Sequence, residues 1–319
     1  MATRYKLLQD HINDYGFSVD KLASYEPVNM SLSVVIPYFN TGKIFQRTLY
    51  FLHQSILQYG SEVEVIVIDD GSKINPLNPA WLKNNERLIL HEKNKGRTEA
   101  RNTGIASATN DVIFFMDSDI LVEASVIKQH AILHSKAKEN NLKSIVISFF
   151  EFTNKYDERI DFLSLNASHL QLNDFRLDCI YDASWIGCEE DKAYIGQHLQ
   201  LIKETNNLRD WRGQYKAWML PNMVLGGAFS VVKSEIVAIN GFDTRFTGYG
   251  FTETSAVTRM IAERNNVVIP SLKGGALHIE DEEINLPKSQ KDEIFKDKHN
   301  FYFNIFLKEE IESKSDEDK

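Results

Sequence analysis

Val112-Ile113-Phe114-Phe115-Met116-Asp117-Ser118-Asp119 joins five apolar residues to two carboxylates on alternate positions. A short apolar run bounded by polar residues reads as a strand buried on both faces, the kind found in parallel sheets covered by helices. The pattern recurs upstream. Residues 32–36 are largely apolar and stop at Pro37-Tyr38-Phe39-Asn40, residues 63–68 end in Asp69-Asp70-Gly71-Ser72, and residues 88–90 form a third short run. Between them Ile44, Phe45, Leu49, Leu52 and Ile56 fall at helical spacing over 42–57, and a second helix is expected over 98–108. Strands alternating with helices predict an α/β fold, a mostly parallel sheet covered by helices. Open sheets of this kind bind ligands at the carboxyl ends of their strands, and the polar clusters stand there.

Downstream the pattern predicts a helix over 122–140 and a strand over 144–149. Residues 151–220, rich in polar and aromatic side chains, receive no assignment. A glycine-interrupted strand is expected over 224–232, then a short helix to Ala238 and a turn at Asn240-Gly241-Phe242-Asp243. Residues 252–264 read as a helix, 267–269 and 276–278 as strands, and 288–311 as a charged amphipathic helix with a solvated face. Residues 1–29 read as a weakly helical extension docked on the main body, and 313–319 as a disordered tail.

With Lys+Arg 36 against Asp+Glu 45, the net charge of −9 over 319 residues repels a phosphate backbone, so nucleic acid is not an expected partner. No apolar run approaches the ~18 residues of a membrane span, and no signal-peptide core follows Met1, so the expected location is cytoplasmic, with peripheral membrane contact left open. Cys179 and Cys188 suit packing rather than a disulfide or a metal. His130 and His134 share a helix face without the intervening glutamate of a zinc motif, and are read as solvated.

Asp117 and Asp119 project from a buried strand, and such oxygens are hard ligands suited to Mg²⁺ or Mn²⁺ bound together with substrate phosphates. The motifs Val34-Val35-Ile36-Pro37-Tyr38-Phe39-Asn40, Ile68-Asp69-Asp70-Gly71-Ser72, Asn94-Lys95-Gly96 with Ala100-Arg101-Asn102-Thr103-Gly104, and Phe115-Met116-Asp117-Ser118-Asp119 occur in an order and spacing that resemble the family 2 glycosyltransferases of GT-A fold. Gly226-Gly227-Ala228-Phe229-Ser230, Asn240-Gly241-Phe242-Asp243 and Gly248-Tyr249-Gly250 resemble the C-terminal half of chondroitin polymerase and of polypeptide N-acetylgalactosaminyltransferases. The resemblance implies a single Rossmann-like mixed sheet with helical N- and C-terminal extensions. Its implied limits are 1–29 for the N-terminal extension, 30–285 for the transferase domain and 286–319 for the C-terminal helix and tail. Within that domain, 30–125 would be the nucleotide-sugar half and 126–285 the acceptor half.

Position by position, the resemblance implies that Pro37, Tyr38 and Asn40 line the nucleoside pocket through backbone groups. Asp69 or Asp70 would accept from the base, and Arg101 would lie by the nucleotide. Asp117 with Ser118 would reach the ribose or a metal-bound water. Asp119 and His278 would hold a Mn²⁺ or Mg²⁺ cofactor on the diphosphate. Glu253 falls on the position of the family's catalytic base, although Thr252 and Ser255 replace neighbouring acids. Gly227, Trp185 and Trp218 are candidates for acceptor contact. The implied function is an inverting, metal-dependent glycosyltransferase. It would move a sugar from a nucleotide-sugar donor, UDP by family frequency, to a hydroxyl of a glycan, lipid-linked, peptide or small-molecule acceptor. The alternative is a non-catalytic nucleotide-sugar-binding protein on the same fold. A nucleotidyltransferase is disfavoured because no glycine-rich N-terminal loop with following Arg and Lys is present.

Overall fold

In the computed structural model the described residues are 1–19, 22, 30–162, 172–182, 199–201, 219–280 and 288–311. In chain order the first elements are β1 (Ala2–Thr3), α1 (Arg4–Asp10), β2 (Leu32–Tyr38), α2 (Lys43–Tyr59), β3 (Val63–Asp69) and β4 (Arg87–Leu90). There follow α3 (Arg97–Ser107), β5 (Val112–Met116), β6 (Ile120–Val122), α4 (Val126–Glu139), β7 (Ser144–Thr153), β8 (Ile180–Asp182) and β9 (Leu199–Leu201). The chain continues through β10 (Ala228–Val232), α5 (Lys233–Ala238), α6 (Thr252–Arg264), β11 (Val267–Ile279), α7 (Lys288–Asn304) and β12 (Glu310–Ile311).

Among the described residues eight strands form one mixed sheet in the order β4-β3-β2-β5-β10-β7-β11-β6. The β4-β3-β2-β5 block is parallel, whereas β10 runs antiparallel to both of its neighbours. The all-apolar β5 is fully buried, as its composition requires. Pro37 lies inside β2 rather than ending it. Pairing with β5 stops at Val35, so the N–H that proline lacks falls where no β5 partner remains. Chain order reverses at β2, between β3 on one side and β5 on the other. The cleft outside those carboxyl ends is therefore the topological switch point of the sheet.

Three expectations are corrected. The helix predicted over 122–140 begins at Val126, because 120–122 form β6, which pairs antiparallel with β11. The two strands expected over 267–269 and 276–278 are one strand, β11, whose register against β7 shifts between Ser271 and Ala276. The glycine pair at 226–227 lies outside β10, which starts at Ala228.

His130 and His134 are buried rather than solvated. His130 Nδ1 lies 2.6 Å from Ser230 Oγ and its Nε2 2.7 Å from Ser148 Oγ, while His134 reaches Ser144 and Ser230 at 2.7 Å each. Serines spaced through two strands give every ring nitrogen a hydroxyl that can donate or accept. A helix face that reads as polar is thereby satisfied inside the core.

The extensions close on each other. β1 pairs with β12, and Arg4 donates to Glu263 at 2.9 Å, pairs with Glu309 and sits over the Phe306 ring at 4.3 Å. The C-terminal helix ends at Asn304, and its Tyr302 packs in the core, as does Phe306 just beyond, so this face is not simply solvated. Trp185, Trp218, Cys188 and the expected tail lie outside the described residues. Among the described residues no helix is long and apolar enough to cross a membrane.

Burial pushes both imidazoles down, His134 to about 3. A depressed histidine contributes its full stability above the unfolded value near 6.5, and loses it as pH falls toward the folded value. Between pH 7 and pH 5 the folded state should therefore lose about 2 kcal/mol from His134 alone. Urea unfolding across that range measures the loss, and His134→Gln should flatten the dependence; an equally steep curve in the variant would refute the assignment.

Candidate active site

The loops after β2 and β3 form one wall of the cleft, and their side chains hold backbone. Asn40, at φ 55°, accepts from Ile74 N and Asn75 N at 3.0 and 3.1 Å. The buried Tyr38 hydroxyl donates to Asn75 O at 2.6 Å and accepts from Gly42 N at 3.0 Å. Asp69 accepts from Ser72 N and Leu77 N at 2.9 and 3.2 Å. Asp70 accepts from Lys95 N and Gly96 N at 2.9 and 2.8 Å, and lies 2.7 Å from His91 Nδ1. Gly71, at φ +73°, passes so close to the next loop that a Cβ would stand 2.5 Å from the Lys93 carbonyl carbon. Pro37, Tyr38, Asn40, Asp69 and Asp70 thus meet at one end of the sheet, and both aspartates organise the loops there. Sequence reasoning missed His91, which fixes Asp70 from β4's end while its Nε2 lies 3.0 Å from Thr103 Oγ1. A lone histidine before a loop carries no local signal.

Asp117-Ser118-Asp119 turns the chain from β5 into β6. Asp117 N donates to Gly227 O at 3.1 Å, and Ser118 is held by Thr41 (Oγ to Oγ 2.6 Å) and Thr48 (Oγ1 donating to Ser118 O, 2.9 Å). Gly227 thereby backs the acid pair, closely packed on Ile120 and Phe150. Pairing of β6 with β11 sets His278 opposite Ile120 and brings His278 Nε2 to 3.0 Å from Asp119 Oδ1. The ring is stacked on Phe152 at 4.8 Å and meets Phe150 edge-on at 5.6 Å.

Burial disfavours both charges, but the pair more than offsets it: Asp119 stays below the usual carboxylate range, aided by Arg97, and His278 is raised. One ligand atom each from Asp117, Asp119 and His278 lies within 4.8 Å of the others. Two carboxylates and an imidazole suit a hard-to-borderline dication such as Mn²⁺, with Mg²⁺ next. Among the described residues the buried His278 Nδ1 has no hydrogen-bond partner, consistent with a ring fixed by packing rather than by a second polar contact.

Opposite this cluster, Arg101 of α3 is fully buried. Its Nη2 donates to Asp117 Oδ1 at 2.9 Å and to Gly226 O at 3.2 Å, and its Nη1 pairs with Glu253. The guanidinium lies 5.5 Å from the Phe242 ring centroid. Glu253 is the second residue of α6, where the helix dipole favours a carboxylate. Its position is enforced by Phe251, at φ +59°, whose ring is held by Phe295 at 5.2 Å and Tyr302 at 4.9 Å. Gly226 is required here, because any Cβ would overlap Glu253 Oε1 and the Arg101 guanidinium.

Burial alone would raise Glu253, but Arg101 and then Arg97 hold it below its ordinary value, so it is ionised at neutral pH. Arg97, which sequence reasoning also missed, stands 3.9 Å from Asp117 Oδ2. The only sequence signal for it is a cation at a helix start. Of the acceptor candidates, Gly227 lies beside the acid pair; Trp185 and Trp218 lie outside the described residues.

The fold and cleft define an α/β protein with acids, an imidazole and two arginines gathered at its switch point. The chain matches the model of glycosyl transferase family 2 over residues 33–186. It is 28% identical over 125 residues to the glycosyltransferase GlyG of Streptococcus pneumoniae, covering 38% of this chain and 40% of that protein. It is 24% identical over 269 residues to the chondroitin synthase of Pasteurella multocida, covering 80% of this chain and 26% of that one. It thus spans less than half the length of either relative. Among solved structures it resembles GalNAc-T7, crystallised with UDP, GalNAc and Mn²⁺, at a TM-score of 0.49 and 15% identity over 80% of this chain and 45% of that one.

Removing one partner of a buried charge network strands the others. Arg101→Met, which leaves Asp117 and Glu253 facing each other without their shared cation, should cost about 3–5 kcal/mol. Adding Glu253→Gln should recover part of it. Urea unfolding of the three proteins reads this, and a single variant as stable as the wild type would show that the bridge contributes nothing.

Proposed function

We propose that the chain is an inverting, divalent-metal-dependent glycosyltransferase. It would take a nucleotide-sugar donor, UDP by family frequency, and a hydroxyl acceptor on a glycan, lipid, peptide or small molecule. The observation that carries this reading is that one cleft holds both halves of the required chemistry. Asp119 and His278 stand on one side, Glu253 on the other, and Arg101 ties Glu253 to Asp117.

In this reading the loops fixed by Asn40, Asp69 and Asp70 receive the nucleoside. Asp119, His278 and Asp117 would hold Mn²⁺ or Mg²⁺, which when bound offsets the negative charge developing on the departing diphosphate. Glu253 accepts the proton of the attacking hydroxyl. That oxygen bonds to the anomeric carbon as the bond to the diphosphate breaks on the opposite face, so configuration inverts. The low pKa of Glu253 keeps it ready to accept at neutral pH, at some loss of basicity.

One observation favours the alternative of a non-catalytic nucleotide-sugar-binding protein. Glu253 is already paired with Arg101, so it could serve only to anchor that side chain.

Two variants separate the readings. Asp119→Ala should abolish the Mn²⁺-dependent rise in melting temperature that UDP gives by mass action. Glu253→Gln, which keeps a neutral hydrogen bond to Arg101, should leave that rise intact and lower sugar transfer about 10²–10⁴-fold. Undiminished transfer by the Gln variant would remove Glu253 from the base role, and the absence of transfer by the wild type to every acceptor offered would favour the binding protein.

A further inference from the structure

Arg97 is the first residue of α3, and for the helix itself a cation is the wrong choice there. The N-terminus of a helix carries partial positive charge that favours acids. Gly96 supplies no side-chain cap, and Glu99 is the acid of the first turn. The guanidinium forms no hydrogen bond among the described residues. Its one ion-pair contact, to Asp117 Oδ2 at 3.9 Å, is too long to be such a bond.

Nor does Asp117 require it, since Arg101 already donates to the other oxygen at 2.9 Å. The remaining charges of the cleft are engaged with one another: Arg101 with Glu253 and Asp117, His278 with Asp119. Arg97 alone keeps 46% of its side chain exposed, yet its charge is felt by Asp117, Glu253, Asp119 and Tyr249 together. It therefore stands over the middle of the cleft with its donors unused. Places where a sequence breaks a local rule without local compensation are where function is found.

We infer that Arg97 grips the diphosphate of the donor and gives the site a share of leaving-group binding that does not depend on the metal. This rests on the donor-binding reading above. The planar guanidinium matches two phosphate oxygens at once, in charge-assisted hydrogen bonds stronger than neutral ones. Asp117, Asp119 and Glu253 face Arg97 and Arg101, with His278 paired to Asp119, so the cleft holds no surplus of positive charge for an anion. A dication held by Asp119 and His278 would add positive charge beside Arg97 for the diphosphate.

The test titrates uridine and UDP calorimetrically into the wild type, Arg97→Ala and Arg97→Lys, with Mn²⁺ and with chelator, and records the melting temperature of each ligand-free protein. Arg97→Ala should weaken UDP about 10- to 100-fold with Mn²⁺ and abolish the weaker metal-free UDP binding, while uridine binds unchanged. Arg97→Lys, which keeps the charge but not the two-pronged geometry, should fall between. The ligand-free Ala variant should melt no lower than the wild type, since a cation has left a helix N-terminus.

UDP affinity within twofold of the wild type in Arg97→Ala would overturn the inference while leaving the donor site intact. An equal loss for uridine would overturn it in favour of a role in loop position. No binding of either ligand by the wild type would overturn the donor-binding reading and this inference together.

Discussion

The cleft is organised around a buried guanidinium that serves two carboxylates from different parts of the chain. Arg101 comes from the helix that follows β4, Asp117 from the end of the central strand, and Glu253 from a helix more than a hundred residues later. A charge with no exposed surface must be paired and hydrogen-bonded, or the fold does not tolerate it. The carboxyl end of β5, the start of α6 and the glycine turn at Gly226 are consequently fixed relative to one another. Much of the local detail follows from that demand. Gly226 has no side chain because the pair fills its space, and Phe251 adopts a left-handed conformation so that α6 starts where Glu253 can reach Arg101.

The two sides of the cleft are built by different means. On the side of the loops after β2 and β3, polar side chains are anchored to loop backbone, so the surface there is shaped by main chain held from behind. On the side of Asp119 and His278 the acid and the histidine face one another, and each charge favours the other. This division suits a protein that reads a ligand by shape at one end and handles charge at the other. The antiparallel insertion of β10 beside β5, and of β6 beside β11, is what places the second side against the first.

The buried serine–histidine network between α4 and the sheet shows how far composition can mislead. Histidines four residues apart on a helix read as a wet face, yet here they belong to the interior. Their partners Ser144, Ser148 and Ser230 come from two strands, and nothing in the helix sequence announces them. Arg97 and His91 were missed for a related reason. Each sits next to a recognisable motif without being part of it, and its role depends on what the fold sets across from it.

The apolar runs, the helical spacing and the strand-end motifs were sufficient to determine the α/β sheet and the strand ends at which the polar clusters gather. These properties are local: strand burial shows in uninterrupted hydrocarbon, and ligand sites follow strand termini. Only the tertiary structure decided that Asp69 and Asp70 hold loops, that His278 meets Asp119, and that Glu253 is paired with Arg101. The last two relations each join residues more than 150 positions apart, and they arise from sheet order and from the need to neutralise buried charge. Neither is written in the neighbours of any one residue.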